Sequence, residues 1–509
     1  MDRTHGINTT SEAMSDPLGI MAYETTQSNT TVERVMNMYK KYNAQFLSLI
    51  HVGMDGWVKS LDFVPFSTSH LLDILTSGER ADGSSLFKGT GLSTSSSDIS
   101  LRPRLSSAFV HPFTDEDEPK GLCILCDHLD KYGKFLAQSP SSILKAAHQR
   151  VSLECNGLQL YALGEVEYFL GKKDEDSSNS RGGWMTEKGY HSTSPFMFGT
   201  KLRRRAMEIL TEAGYHAKYG HGEVGFIPPD AILNDSTVWE QHEIEMSLMP
   251  LEQAADAVLL CQWIIRNLAD QSGFLVSFDP MVQQHHAGNG LHFHMSPTKD
   301  GVHLHHYQDG VTNRRGHPSS HHKDLMVEVQ AMIAGLCICG GSLMAWGNRC
   351  EKSFQRLKQG EEAPSKVQWD FFNRKCLVRL PIQSQDAHGN TKTPATVEFR
   401  LGDGSAHPHL LLAGIAQAFV HAYVMQSKAL DVVDRCRIVG IQDDTKGSQM
   451  TPVPRNAAEV AMALERDRDI YLAGDVFPLS LIEEALESLH AVCVPEKKIS
   501  SDAEAHSND

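Results

Sequence analysis

GNGLHFHMSP, residues 288–297, places His292 and His294 one residue apart behind two glycines. Alternate residues of a strand project from the same face, so both imidazoles point the same way if this segment is extended. The same arithmetic recurs along the chain. LYALGEVEYFLG presents Glu165 and Glu167, ATVEFRLGD presents Glu398 and Arg400, HGEVGF contributes Glu223, and EQHEIEM contributes Glu243 and Glu245. A single E-x-E pair ordinarily marks a solvated strand face. Tyr161, Leu163, Phe169 and Leu170 around Glu165 and Glu167 weigh against that reading, because carboxylates drawn toward a core need compensating charge. Four or five carboxylates with one imidazole make an oxygen-dominated set, which suits Mg2+ or Mn2+ better than zinc. The His-rich stretches VHLHHYQDG and HPSSHHKD read as solvated loops.

Composition bounds the rest. A chain of 509 residues with 41% hydrophobic content can bury a large core. Its formal charge of −16 argues against a nucleic-acid partner, which would call for a basic face. The N-terminal residues lack the basic start and apolar run of a signal peptide, and no later apolar stretch reads as membrane-spanning, so a soluble cytoplasmic protein is expected. Ten scattered cysteines suit reduced thiols. Cys123 and Cys126 form a C-x-x-C, but GLCILCDHL is strand-like, which sends the two thiols to opposite faces.

Residues 1–32 read as a flexible segment, ending in a capping box formed by Thr30 and Glu33 before the helical pattern VERVMNMYKKYN. FLSLIHVG and WVKSLDFVP read as strands around an Asp55-Gly56 turn. Together with SAFVHPF and GLCILCDHL they define a small β-rich domain over 33–140. Inside it, DGSSLFKGTGLSTSSSD (82–98) has the composition of a flexible loop. From 141 to 490, long helical patterns alternate with strands, as expected of an α+β catalytic domain. Residues 491–509 are polar and expected to be disordered.

A basic group completes the pattern. Residues 348–381 hold Arg349, Arg356, Arg374 and Arg379 around a Gly-Glu-Glu-Ala-Pro turn. Clustered guanidinium groups on an acidic protein either bind carboxylate or phosphate oxygens in bidentate fashion or form ordinary surface ion pairs. Taken in order, DGSS, SD, GEVEYF, HGEVG, QHEIE, GNGLHFHMS, SFQRLKQGEEAP, NRKCLVRLP and VEFRLGDGSAHPHLLLAG resemble the glutamine synthetase family, over about residues 40–490. The resemblance implies a small β-grasp domain followed by a large catalytic domain, an antiparallel sheet with flanking helices. It also implies a large ring-shaped homo-oligomer with active sites between subunits. The implied activity is ATP-dependent joining of ammonia to glutamate.

Position by position, the resemblance makes Glu167, Glu223 and Glu243 ligands of one Mg2+ or Mn2+ ion, and Glu165, His292 and Glu398 ligands of a second. It puts His294 and Ser296 beside ATP. Arg356, Arg374, Arg379 and Arg400, with Gly288, match groups for the substrate and the transferring phosphoryl. Glu362 matches the acidic residue of a closing flap, and Asp82, supported by Asp98, matches the group that attracts ammonium and takes its proton.

The chain also departs from the family pattern. Ala287-Gly288-Asn289-Gly290-Leu291-His292 stands where N-G-S-G-M-H is common, His407-Pro408-His409 replaces Asn-Pro-Tyr, and Thr396 replaces an arginine near the nucleotide. These changes leave open a γ-glutamyl ligase for a polyamine or other larger amine. A non-catalytic scaffold would instead show decay among the six ligand positions, all of which are present.

Overall fold

The computed structural model describes residues 28–114, 119–173, 188–229, 236–304, 306, 324–359, 363–383, 394–438 and 451–492. A first sheet comprises β1 (Phe46–Val52), β2 (Val58–Phe63), β3 (Glu79–Asp82), β4 (Asp98–Pro103), β5 (Phe109–Val110) and β6 (Gly121–Leu129). Its order is β2-β1-β6-β4-β3, with β5 also on β6; β1 and β6 run parallel and the other pairs antiparallel. Gly56 turns the β1–β2 hairpin with φ 81°, as the Asp55-Gly56 reading requires.

Every residue of β6 is buried because both faces of the strand are covered. On one side Leu122, Ile124 and Cys126 meet Val35, Leu71 and Ile74 from the helices Ser28–Lys41 and Thr68–Ser77. On the other, Cys123 and Leu125 enter the main core with Ile143 and Leu144 of the helix Pro140–Glu154. The two thiols therefore do point to opposite faces, and burial pushes both well above the ordinary thiol range, which keeps them unreactive.

The second sheet positions the chemistry. It contains β7 (Gln159–Lys173), β8 (Ala217–Ile227), β9 (Thr237–Met246), β10 (Met249–Pro250), β11 (Leu275–Ser277), β12 (Leu291–Lys299), β13 (Val302–His303), β14 (Trp369–Phe371), β15 (Val378–Leu380) and β16 (Val397–Phe399). The main path is β14-β15-β16-β12-β7-β9-β8, antiparallel except for β14 beside β15. Val166, Ile244 and Phe293 lie on the face toward the helix Leu251–Gln271. Phe293 is fully buried, worth about 2–3 kcal/mol of hydrophobic stabilisation. Gly164, opposite Phe293, lets that helix approach: a Cβ there would sit 2.6 Å from Val258 Cγ2.

Three expectations change. Residues 82–98 are ordered into a short helix (Gly83–Leu86) and a 3-10 turn (Thr94–Ser96), with the Asp82 carboxylate accepting hydrogen bonds from Ser84 N, Ser84 Oγ and Ser85 Oγ. Local side-chain capping, invisible to composition, orders the segment. The first helix already includes Ser28, so it begins before Thr30 rather than after it; residues 1–27 and 493–509 fall outside the described residues. Finally, the helices Val327–Gly347 and Pro408–Met425 are long and apolar enough to span a bilayer, contrary to the sequence reading. They pack in the core, with 89% and 78% of their apolar windows buried.

Candidate active site

The opposite face of the large sheet carries the functional side chains in three rungs. Arg379 is paired with Glu398, and Glu398 with His294. One rung along, Glu165 lies between His292 and Glu245. In the third, Glu243 lies between Glu167 and His221. Glu223 sits two residues beyond His221, where β8 is irregular, a place where strands often re-aim a side chain toward a site.

The rungs converge closely. His292 Nδ1 and His294 Nε2 each lie 2.9 Å from a Glu165 oxygen, and the same nitrogens are 3.9 and 3.8 Å from Glu398 Oε1. His221 Nε2 is 3.3 Å from Glu243 Oε1, and its Nδ1 is 3.6 Å from Glu223 Oε1. Three sets each offer donor atoms within 4.8 Å of one another: Glu165–His294–Glu398, His221–Glu223–Glu243 and Glu165–Glu243–Glu245. Glu167 is half-buried beside them, its Oε2 accepting from Gly290 N at 2.7 Å and from Gln241 Nε2 at 3.3 Å.

Burial sets the electrostatics. Desolvation, then the neighbouring Glu167 and Glu243, pushes Glu223 up to about 8. Desolvation with Glu165 and Glu167 raises Glu243 well above the carboxylate range, and desolvation with Glu165 raises Glu245 despite its 2.5 Å contact with Lys218 Nζ. Glu165 and Glu398 go the other way: burial disfavours their charge, but His294, with His292 on Glu165 and Arg400 and Arg379 on Glu398, outweighs it. Burial opposes charge on His294, yet Glu165 and Glu398 raise it.

Compensation is incomplete at two groups. No hydrogen bond from the described residues reaches the buried Glu243 carboxylate, and the buried Nε2 of His292 has no partner among them. A buried carboxylate and a buried lone pair in an oxygen-rich cluster suit one or more divalent cations.

The arginines close one side. Glu398 forms ion pairs with both Arg379 and Arg400, and Arg400 Nε donates to Arg374 O at 3.0 Å. A cavity of about 510 Å3 opens over this face, lined by Glu165, Glu223, Glu243, His294, Arg374 and Arg379. Arg356 is buried behind it, its Nη1 3.4 Å from the Leu401 and Gly402 carbonyls, and the Gly288 carbonyl accepts from Gln241 Nε2 at 3.0 Å. Ser296 is buried one turn of the pleat beyond His294. Asp82 is exposed, opposite Asp98 in the small sheet, and is not among the residues lining the cavity of its own chain. Its serine hydrogen bonds, Ser85 foremost, hold its carboxyl well below the usual range. Glu362 lies outside the described residues.

Residues 137–489 match the family model described as glutamine synthetase, catalytic domain. The chain belongs to the glutamine synthetase family. It is 26% identical to glutamine synthetase of Methanocaldococcus jannaschii over 443 residues, covering 86% of this chain and 89% of that protein. Against the Aquifex aeolicus glutamine synthetase the figures are 24% over 483 residues, with 91% and 95% covered. Among solved structures, Plasmodium falciparum glutamine synthetase matches with a TM-score of 0.72 at 20% identity, covering 92% of this chain and 96% of that one. A GmaS–ADP complex matches at 0.67 and 19%, covering 90% and 95%. At these identities the two structures establish the glutamine synthetase fold.

Within that fold, most departures from the family pattern serve the scaffold. Asn289 is fully buried and its Nδ2 donates to the Ser277 and Asp279 carbonyls. His407 Nε2 lies 3.1 Å from Gly53 O, tying the first hairpin down, and His409 Nε2 lies 3.1 Å from Asp256 Oδ1. Thr396 does line the cavity, where its Oγ1 is 3.1 Å from His294 Nδ1. Among the cavity residues that sequence reasoning missed are His221, Lys218 and His303. His303 belongs to the stretch expected to be a solvated loop, but it sits on β13 with Nδ1 3.0 Å from Ser296 Oγ; the neighbouring His306 is buried, with Nε2 2.8 Å from Thr396 O. HPSSHHKD lies almost wholly outside the described residues. The signal for His221 was present in H-G-E, an i, i+2 pair with Glu223.

Proposed function

We propose that this family member is a soluble, cytoplasmic ATP-dependent carboxylate–amine ligase that makes glutamine from glutamate and ammonia through a γ-glutamyl phosphate. The observation that carries the reading is the convergence of Glu165, Glu223, Glu243, His292 and Glu398, from five strands, beside Arg374 and Arg379. A carboxylate is a poor electrophile and must be phosphorylated, and phosphoryl transfer chiefly requires positioning and charge neutralisation.

In this reading Glu167, Glu223 and Glu243 hold one Mg2+ or Mn2+ ion, and Glu165, His292 and Glu398 hold the other. Bound there, the ions neutralise nucleotide phosphates. His294 and Ser296 orient ATP. Arg374 and Arg379 face the transferring phosphoryl, while Arg356, Arg400 and Gly288 orient glutamate. Arg379 and Arg400 pair with Glu398, the carboxylate that would hold a cation, which keeps both guanidinium groups beside the anionic substrate. Ammonium must lose a proton before it attacks, a task for carboxylates at the cavity mouth. Asp82 is off its own chain's cavity, so it takes this role in a ring-shaped homo-oligomer by reaching a neighbouring copy, with Glu362 closing the site against water.

The test is phosphate release from ATP with Mg2+ or Mn2+ and glutamate while the amine is varied. Release should require both glutamate and ammonia. Ala287, in place of the asparagine that helps hold the substrate amino group, is the observation favouring the second reading, a γ-glutamyl ligase for a larger amine. Turnover with a polyamine but not ammonia would establish it. No nucleotide turnover with any amine would refute both.

A further inference from the structure

His221 occupies a place that the ligand set above does not explain. It is in register with Glu243 across β8 and β9 and precedes Glu223 by two residues. Its Nδ1 lies 3.1 Å from the Gly222 carbonyl, an acceptor that favours the proton on Nδ1. That tautomer leaves Nε2 with a lone pair facing Glu243 Oε1 at 3.3 Å, longer than a well-made hydrogen bond. A cation seated between that lone pair and an ionised Glu243 carboxylate would satisfy both. Metal-bound imidazoles commonly donate their other ring nitrogen to a backbone carbonyl in this way.

A second observation concerns the partner. The Glu243 side chain is buried, receives no hydrogen bond from the described residues, and shares a volume within 4.8 Å with His221 and Glu223. An ion with bonds of about 2.0–2.2 Å spans that volume. The imidazole is also braced: His191 lies against its ring with centroids 4.5 Å apart, and Tyr190 meets it edge-on at 5.3 Å.

We propose that His221 is a metal ligand, its Nε2 joining the Glu223 and Glu243 carboxylates at one of the two cation positions. The inference rests on the ligase reading and deepens it by naming the ion. Mg2+ takes oxygen ligands, whereas imidazole suits softer divalent cations, so this position favours Mn2+ over Mg2+.

The test is equilibrium binding of Mn2+ and Mg2+ to the chelator-stripped full chain, without substrates. The wild type should bind two Mn2+ per chain, with one position discriminating against Mg2+. His221→Phe should weaken one Mn2+ by about tenfold or more and leave the other unchanged. His221→Asp, which restores an oxygen donor, should recover that ion while its preference for Mn2+ over Mg2+ falls severalfold. Binding of both Mn2+ ions by His221→Phe with wild-type affinity would overturn the proposal and leave the ligase reading standing. An unchanged Mn2+/Mg2+ preference in His221→Asp, or loss of both ions in both variants, would overturn it too. A wild type that binds no Mn2+ would instead sink the ligase reading itself.

Discussion

Replacing Glu223 by glutamine should stabilise the chelator-treated protein at alkaline pH while removing its capacity to bind the ion. Burial and the Glu167 and Glu243 charges push the Glu223 carboxyl from 4.5 to about 8. At 1.36 kcal/mol per pH unit, that displacement corresponds to ~5 kcal/mol as a ceiling, and ~2–3 kcal/mol once water entry and side-chain rotation relax the site. A folded-state value above the unfolded one means that the protonated group stabilises the fold below about pH 4.5, and that this contribution is lost as pH rises through about 8. Denaturant unfolding of wild type and Glu223→Gln in chelator, at pH 5 and pH 8.5, reads the effect. The variant should match wild type at pH 5 and exceed it by ~2–3 kcal/mol at pH 8.5, and added Mn2+ should offset that difference by stabilising wild type, with both positions filled, more than the variant, which keeps one. Equal stability of the two proteins at pH 8.5 would refute the argument that the cluster stores uncompensated charge.

The scaffold makes its own predictions. Asp256 is fully buried between Arg104 Nη1 at 2.7 Å and His409 Nε2 at 3.1 Å, so Asp256→Ala should cost about 3–5 kcal/mol in denaturant unfolding by stranding Arg104. Arg104 and His409 outweigh burial and hold Asp256 down at about 2, so this contribution is present above pH 3.8 and fades as pH falls toward 2. Gly164→Val should cost about 1–3 kcal/mol, measured the same way, because its side chain would press the helix at Val258 away from the sheet.

The large sheet was legible because its signal is local and periodic. E-x-E, H-x-H and E-x-R at strand spacing state which residues share a face, and the register confirms it for Glu165 with His292 and for His294 with Glu398. Less legible was the partition between residues that touch one another and residues merely on the same face. Glu167 is engaged by Gly290 N and Gln241, while His221 stands beside Glu223 and Glu243, and that distinction depends on the irregularity in β8. The loop at 82–98 shows a different limit. Its glycines and serines are those of a flexible linker, yet Asp82 spends both carboxylate oxygens on Ser84 and Ser85, contacts that composition does not count. The two core helices were hidden for the converse reason: interrupting glycines and a histidine break the apolar runs, although the whole stretches remain apolar enough to span a bilayer.

Those helices bear on how the chain is made. Val327–Gly347 packs against Pro408–Met425, which is synthesised roughly sixty residues later. At ribosomal speeds of about 5–20 residues per second, the first helix waits ~3–12 s without its main neighbour. For that interval a greasy segment of membrane-inserting length is presented to the cell, so nascent chains stalled between these two points should be bound by chaperones or drawn to lipid far more than chains stalled just after the second.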